Sequence, residues 1–216
     1  MKSLLNISDI TKEDFFYILD QSERLKLKPD PILKNKNIGL IFEKNSTRTR
    51  LSFQVGINML SGNFIDINLD QLNLNRFETL ESTFEMLGLY LDSIIFRTID
   101  HKKLVIAKKY FQKPIINALS DLSHPCQAIS DIYTLKEKFH SLENLKIVWF
   151  GDLNNVLYSL AECLKFLPTA QLDVFTDQKI YETNKELFKF NSNVNFHFEL
   201  NDKILNSANC IMTDVY

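Results

Sequence analysis

The sequence predicts an α/β protein with two domains, each a mainly parallel sheet flanked by helices. Three observations carry this. Short runs rich in Ile, Val and Phe recur eight times along the 216 residues, and amphipathic segments of helical length separate them, the pattern of βαβ units. The runs are near-continuously apolar, as strands buried on both faces are. The polar stretch His140-Ser141-Leu142-Glu143-Asn144 leaves four runs on each side. Domains are therefore expected over 1–140 and 141–216.

Taken in order, the opening helix is expected over about Thr11–Leu27. Strands follow at Ile38–Phe42, Asn63–Ile67, Ser93–Arg97 and Pro114–Asn117, then at Leu145–Phe150, Gln171–Phe175, Val194–Phe198 and Cys210–Asp214. Helices are expected at Thr47–Leu60, Glu78–Tyr90, Lys102–Phe111, Gln127–Phe139, Asn154–Leu167, Lys179–Phe190 and Asp202–Ser207. Each shows the apolar spacing of a one-sided helix. The chain stops just after the last apolar run, where a βα loop should begin. The second domain is thus expected to be incomplete and the chain a fragment, with apolar faces around Val148, Phe150 and Ile211 partly exposed.

Composition narrows the function. With 25 basic and 27 acidic residues the net charge is −2, against the basic face of a nucleic-acid protein. No apolar run approaches the roughly 20 residues of a membrane helix, and the polar start Met1-Lys2-Ser3-Leu4-Leu5-Asn6 is no signal peptide. A cytoplasmic protein is expected. Cys126, Cys163 and Cys210 have neither disulfide nor zinc spacing, and His124 has no second ligand at useful distance, so no metal is expected. The 20 Lys and 5 Arg make each arginine informative, and three of the five are Arg48, Arg50 and Arg97.

Chemistry concentrates where strands give way to helices. In Phe42-Glu43-Lys44-Asn45-Ser46-Thr47-Arg48-Thr49-Arg50, free N–H groups of a helix start meet hydroxyls and guanidinium forks, a combination suited to phosphate. The bland alternative is a Ser N-cap and a solvated basic turn. Arg97 ends a strand, and His124-Pro125-Cys126-Gln127 opens a helix with proline at its first position. Alone, Arg97 would read as a surface residue and His124 as an ordinary cap. Further on, Phe150-Gly151-Asp152-Leu153-Asn154-Asn155 follows a strand at its carboxyl end, where open α/β sheets bind ligands. A nicotinamide fold would show G-x-G-x-x-G there, and only Gly151 is present.

These motifs, in this order, resemble the aspartate and ornithine carbamoyltransferase family. Ser-Thr-Arg-Thr-Arg resembles its carbamoyl-phosphate motif, and His-Pro-Cys-Gln its His-Pro-x-Gln motif. The resemblance implies Ser46, Thr47, Arg48 and Thr49 on the phosphate, with Arg97 and His124 as catalytic donors to the carbonyl oxygen. It also implies Gln127 on the carbamoyl nitrogen and Asn73 in a loop reaching a neighbouring subunit's site. Gly-Asp-x-Asn-Asn and the terminal Thr213-Asp214 are similar to the ornithine-specific branch, which implies Asn155 and Asp214 on the amino acid. Leu153 departs from the Gly common there. The implied reaction transfers a carbamoyl group to the δ-amine of L-ornithine, giving citrulline and phosphate in arginine formation. No cofactor is implied, and a homotrimer with sites between subunits is. Another amino acceptor, or a non-catalytic fragment that binds only carbamoyl phosphate, remains the alternative. Later family motifs are missing, so the chain by itself is expected to bind carbamoyl phosphate without turning over ornithine.

Overall fold

The computed structural model describes residues 2–44, 46–68, 78–189 and 193–214. Its elements alternate as expected. They run α1 (Lys12–Leu27), β1 (Asn37–Phe42), α2 (Thr47–Met59), β2 (Asn63–Ile67), α3 (Leu80–Tyr90), β3 (Ser93–Arg97), α4 (His101–Phe111) and β4 (Ile115–Leu119). They continue with α5 (Pro125–Phe139), β5 (Lys146–Phe150), α6 (Asn155–Cys163), β6 (Gln171–Phe175), α7 (Gln178–Asn184), β7 (Val194–His197), α8 (Asp202–Ser207) and β8 (Cys210–Thr213). α6 and α7 end sooner than the apolar pattern does, because each tightens into a 3₁₀ turn, Leu164–Phe166 and Lys185–Phe188. Such turns are common at helix ends.

The chain divides into two compact units, Met1–Ser123 and His124–Tyr216. In the first unit the sheet order is β2-β1-β3-β4, with every described pairing parallel. Alternation along β1 and β3 sends side chains to two cores. Ile41, Ile94 and Phe96 meet Phe84, Leu87 and Leu91 of the α3 region and Leu104, Ala107 and Phe111 of α4. Ile38, Leu40, Phe42 and Ile95 meet Ile57, with Phe53 of α2 packed against them. Because β3 is in register with β1, Arg97 lies beside Phe42, on the side where Leu40 and Ile95 meet α2. The β3–β4 register slips between Phe96 and Arg97, an irregularity of the kind that re-aims a side chain.

In the second unit the order is β7-β6-β5-β8, again parallel. Trp149, Leu157, Leu160, Leu172 and Val174 are buried. Phe150 stacks on Phe175 with ring centroids 5.0 Å apart. The expectation of partly exposed apolar faces holds at half-buried Phe150 and at Ile211 and needs correcting at Val148 alone. Val148 is fully buried while Ile211 is 59% exposed, because β5 sits inside its sheet and β8 pairs only with β5 among the described strands.

Both sheets share one topological feature. Connections from the middle strand leave in opposite directions, from β1 towards β2 and from β3 towards β4 in the first sheet. In the second they run outward from β5 through β6 to β7, then back to β8. The order therefore reverses between β1 and β3, and again between β5 and β8. Parallel sheets bind ligands outside the carboxyl ends of their strands at such points.

A side chain at Gly39 would crowd the apolar side chains packed over β1. A Cβ there would lie 2.6 Å from Leu91 Cδ1 and 3.2 Å from Ile94 Cγ2. Gly39→Ala is expected to destabilise by about 1–3 kcal/mol through overpacking. Gly56→Ala, on α2 with open space around it, should stabilise by up to about 1 kcal/mol. Urea midpoints for the two variants should move in opposite directions.

Candidate functional site

Among the described residues, six of the eight α-helices begin with a side-chain N-cap: Thr11, Thr79, Asp100, Asn154, Asp177 and Asn201. The two others are α2 and α5, and these carry the Ser46–Arg50 and His124–Gln127 motifs. Ser46 occupies the cap position of α2 with extended backbone, yet its hydroxyl makes no capping bond. It accepts instead from Arg97 Nη1 at 3.0 Å, and the same nitrogen reaches Thr49 Oγ1 at 3.3 Å. The ordinary N-cap explanation of this serine therefore fails. The first turn of α2 holds no acidic residue, so no side chain of that turn offsets the positive end of the helix dipole.

The arginines divide the work. Arg50 lies over the Phe42 ring at 5.1 Å and within 3.9 Å of Asp66, so it braces α2 against the sheet. Arg48 and Thr47 are exposed in the first turn. Burial lowers the Arg97 pKa, but a guanidinium stays charged in proteins. Its Nε is buried and makes no hydrogen bond among the described residues. A buried charged donor with a vacant N–H costs free energy unless an anion answers it. Arg97, Ser46 and Thr49 thus converge at the first reversal point, beside the exposed Thr47 and Arg48.

Glu43 holds this corner together, and the sequence reading assigned it no role. Its carboxylate accepts from Lys103 Nζ at 2.6 Å, Thr98 Oγ1 at 2.7 Å and the Ile99 N–H at 3.0 Å. Its own N–H donates to the Arg97 carbonyl at 3.0 Å. Burial alone would raise the pKa of this carboxyl, but these bonds outweigh it and hold the group below the usual range. Glu43 therefore ties the end of β1 to the residues following β3. A carboxylate at a strand end was the only sequence signal, and many strand ends carry one.

At the start of α5, the His124 N–H donates to Ser159 Oγ of α6 at 2.8 Å, and the imidazole does not cap the helix. His124 is buried, and Pro125 takes the first helical position. Gln127 is exposed and donates from Nε2 to Asp131 Oδ1 at 2.8 Å. Burial raises the Asp131 pKa to about 6, the Gln127 bond opposes this, and the nearby Asp214 adds to it. One pKa unit is 1.36 kcal/mol, so a rise from 3.8 to about 6 sets roughly 3 kcal/mol against the charged form. The folded carboxyl binds its proton more tightly than the unfolded one. The penalty therefore operates at neutral pH and is relieved as pH falls through about 6. Burial also pushes the Cys126 thiol up to about 12, which leaves it an inert thiol.

The turn after β5 is built on Gly151, whose φ of 134° excludes other residues. Trp149 Nε1 donates to the Asp152 carbonyl at 3.2 Å, and Leu153 is buried beneath the turn. Asn154, which the sequence reading passed over, does two jobs. Its Oδ1 caps α6 by accepting from the Val156 and Leu157 N–H groups, and its Nδ2 donates to Asp214 Oδ2 at 2.7 Å. Asn155, at the first helical position, is half-buried. The second reversal point thus brings Asp214 to the Asn154–Asn155 turn. Asn73 lies outside the described residues.

Comparison with known proteins agrees with this geometry. Residues 2–137 match the family described as aspartate/ornithine carbamoyltransferase, carbamoyl-P binding domain. The chain belongs to this family. An ornithine carbamoyltransferase from Caldicellulosiruptor saccharolyticus is 38% identical across all of this chain and 73% of its own length. One from Thermococcus kodakarensis is 43% identical over 164 residues, covering 74% of this chain and 52% of the relative. The chain thus spans about half the length of that relative and others like it. Among solved structures, the Pyrococcus furiosus ornithine carbamoyltransferase aligns with a TM-score of 0.84 at 35% identity, covering all of this chain and 72% of that one. The Burkholderia thailandensis enzyme aligns with a TM-score of 0.91 at 27% identity, over all of this chain and 76% of that one. The stretch matched to the carbamoyl-phosphate-binding domain of the family contains both the Ser46–Arg50 and the His124–Gln127 motifs.

Glu43 offers a direct check on this corner of the family fold. Glu43→Gln removes the ion pair with Lys103 and weakens two further bonds, an expected loss of about 1–3 kcal/mol. Because the folded carboxyl has a lowered pKa, its contribution is present above the unfolded value and fades as pH falls through the folded one. Thermal melts should therefore separate the two proteins at pH 7 and bring them together in acid.

Proposed function

We propose that this chain binds carbamoyl phosphate and serves carbamoyl transfer to the δ-amine of L-ornithine, giving L-citrulline and phosphate. The observation that carries the proposal is the Arg97 guanidinium, fixed on Ser46 and Thr49 at the uncapped start of α2. A phosphate there meets helix N–H groups, the hydroxyls of Ser46 and Thr47, and the fork of Arg48. Ser46 and Thr49 each accept from Arg97 while their own hydroxyl protons remain able to donate. Arg97, His124 and Thr49 then act on the carbonyl oxygen, and Gln127 on the carbamoyl nitrogen.

The chemistry needs little more than this. The amine attacks as the free base, and a tetrahedral intermediate expels phosphate. Negative charge grows on the carbonyl oxygen and on the leaving group, so donors fixed beforehand at both places lower the barrier. Holding two substrates together supplies much of the remaining rate. Asn155 and Asp214 would receive the amino-acid end of ornithine, an acidic acceptor suiting an ammonium group. Relatives named as ornithine carbamoyltransferases support ornithine over other acceptors. The reading extends to a cytoplasmic homotrimer working in arginine formation, with Asn73 contributed to a neighbouring site.

Calorimetry with carbamoyl phosphate, beside assays offering ornithine, aspartate and putrescine as acceptors, tests the proposal directly. Arg48→Lys keeps the charge but loses the paired N–H geometry. It should weaken carbamoyl phosphate by roughly 2 kcal/mol or more, and an unchanged dissociation constant would remove Arg48 from the site. Asn155→Ala should weaken ornithine while leaving carbamoyl-phosphate affinity within about twofold, since one lost neutral hydrogen bond acts only on its own ligand. Equal loss of both ligands would make the turn structural.

A further inference from the structure

Gln127 is exposed on the first turn of α5, while its partner Asp131 is half-buried one turn further on. Among the described residues Gln127 is the one hydrogen-bond donor to Asp131. A carboxylate can only accept, so the Gln127 amide must turn its NH₂ towards Asp131 and its carbonyl oxygen away. We propose that Asp131 is a positioning residue that locks the Gln127 amide with Oε1 presented as an acceptor, so that the site selects carbamoyl phosphate over acyl phosphates lacking an N–H. This deepens the carbamoyl-phosphate reading and rests on it.

Two features of the surroundings support the assignment. Asp131 sits near a second carboxylate, Asp214, and near the thiols of Cys163 and Cys210, whose pKa values it helps to raise after burial. Nothing in that set stabilises its negative charge except the Gln127 amide. A neutral residue would suit the fold better, so the charge has its use in the one bond it makes. Asparagine at 131 has the same shape but can offer either a donor or an acceptor, and Gln127 would then lose its fixed orientation. Protonating Asp131, which titrates at about 6, would have the same effect, because the carboxylic O–H can donate to Oε1 and let the amide turn over.

Acetyl phosphate is the discriminating probe, since it replaces the carbamoyl NH₂ by a methyl group of similar size. Binding of carbamoyl phosphate, acetyl phosphate and inorganic phosphate is measured by calorimetry for the wild type, Asp131→Asn and Gln127→Ala. The wild type should prefer carbamoyl to acetyl phosphate, and Asp131→Asn should lose about tenfold in carbamoyl-phosphate affinity, the scale of one hydrogen bond. Its affinity for the other two ligands should stay within about twofold, and its melting temperature at pH 7 should rise. Gln127→Ala should show the same ligand pattern, and the double variant should be no worse than either single one. The wild-type preference should fall below pH 6, whereas the profile of Asp131→Asn should be flat there. Asp131→Asn with the full preference, or with equal losses for all three ligands, would overturn the proposal while leaving the carbamoyl-phosphate reading standing. A wild type that binds none of the three would overturn both.

Discussion

A parallel sheet must send its chain back through crossovers, and wherever the strand order reverses, two adjacent strands release their loops in opposite directions. That leaves a gap at the carboxyl edge which no crossover covers. This constraint organises everything else in the chain. Between β1 and β3 the gap receives the start of α2 from one side and Arg97 from the other, and their meeting is the Arg97–Ser46 hydrogen bond. Between β5 and β8 it receives the Gly151–Asn154 turn and Asp214, joined by the Asn154 amide. Two sheets with different sequences thus build a corner by the same geometry.

The two corners differ in electrostatic sign, as their proposed ligands require. The first is cationic, with two arginines, an uncapped helix start and a buried guanidinium N–H lacking a hydrogen bond among the described residues. The Glu43 carboxylate is engaged by Lys103, Thr98 and Ile99, so it fixes the corner without neutralising it. The second is anionic, with Asp214 and Asp131 close enough to raise the proton affinity of Asp131. Helices follow the same division of labour. Where a helix start only has to be stable, a Thr, Asp or Asn side chain caps it, worth about 1 kcal/mol. At the starts of α2 and α5, which carry the Ser46–Arg50 and His124–Gln127 motifs, that cap is absent, whereas at α6 Asn154 both caps the helix and holds Asp214.

Asp131 shows how such a site can work against the stability of its own fold. A desolvated carboxylate facing another carboxylate disfavours the folded state at neutral pH. It is kept in place by packing elsewhere, through the α5–α6 contact and the His124–Ser159 bond. Local cost of this kind is expected where residues serve a ligand more than the fold.

The number, order and type of the elements are legible in the residues alone, because apolar runs and amphipathic spacing depend only on local residue patterns. So are the motifs, since Ser46–Arg50, Arg97 and His124–Gln127 are each informative as short strings. Boundaries were harder where helices tightened into 3₁₀ turns, a change driven by packing rather than by composition. Tertiary structure alone decided which groups answer one another. Arg97 and Ser46 are 51 residues apart, Glu43 and Lys103 60 apart, and Asn154 and Asp214 60 apart, and no local pattern encodes such pairings. The same applies to Val148 and Ile211, both apolar strand residues, one buried inside its sheet and the other exposed at its margin. A side chain's chemistry is written in the sequence, but its partner and its share of water are set by strand order and register.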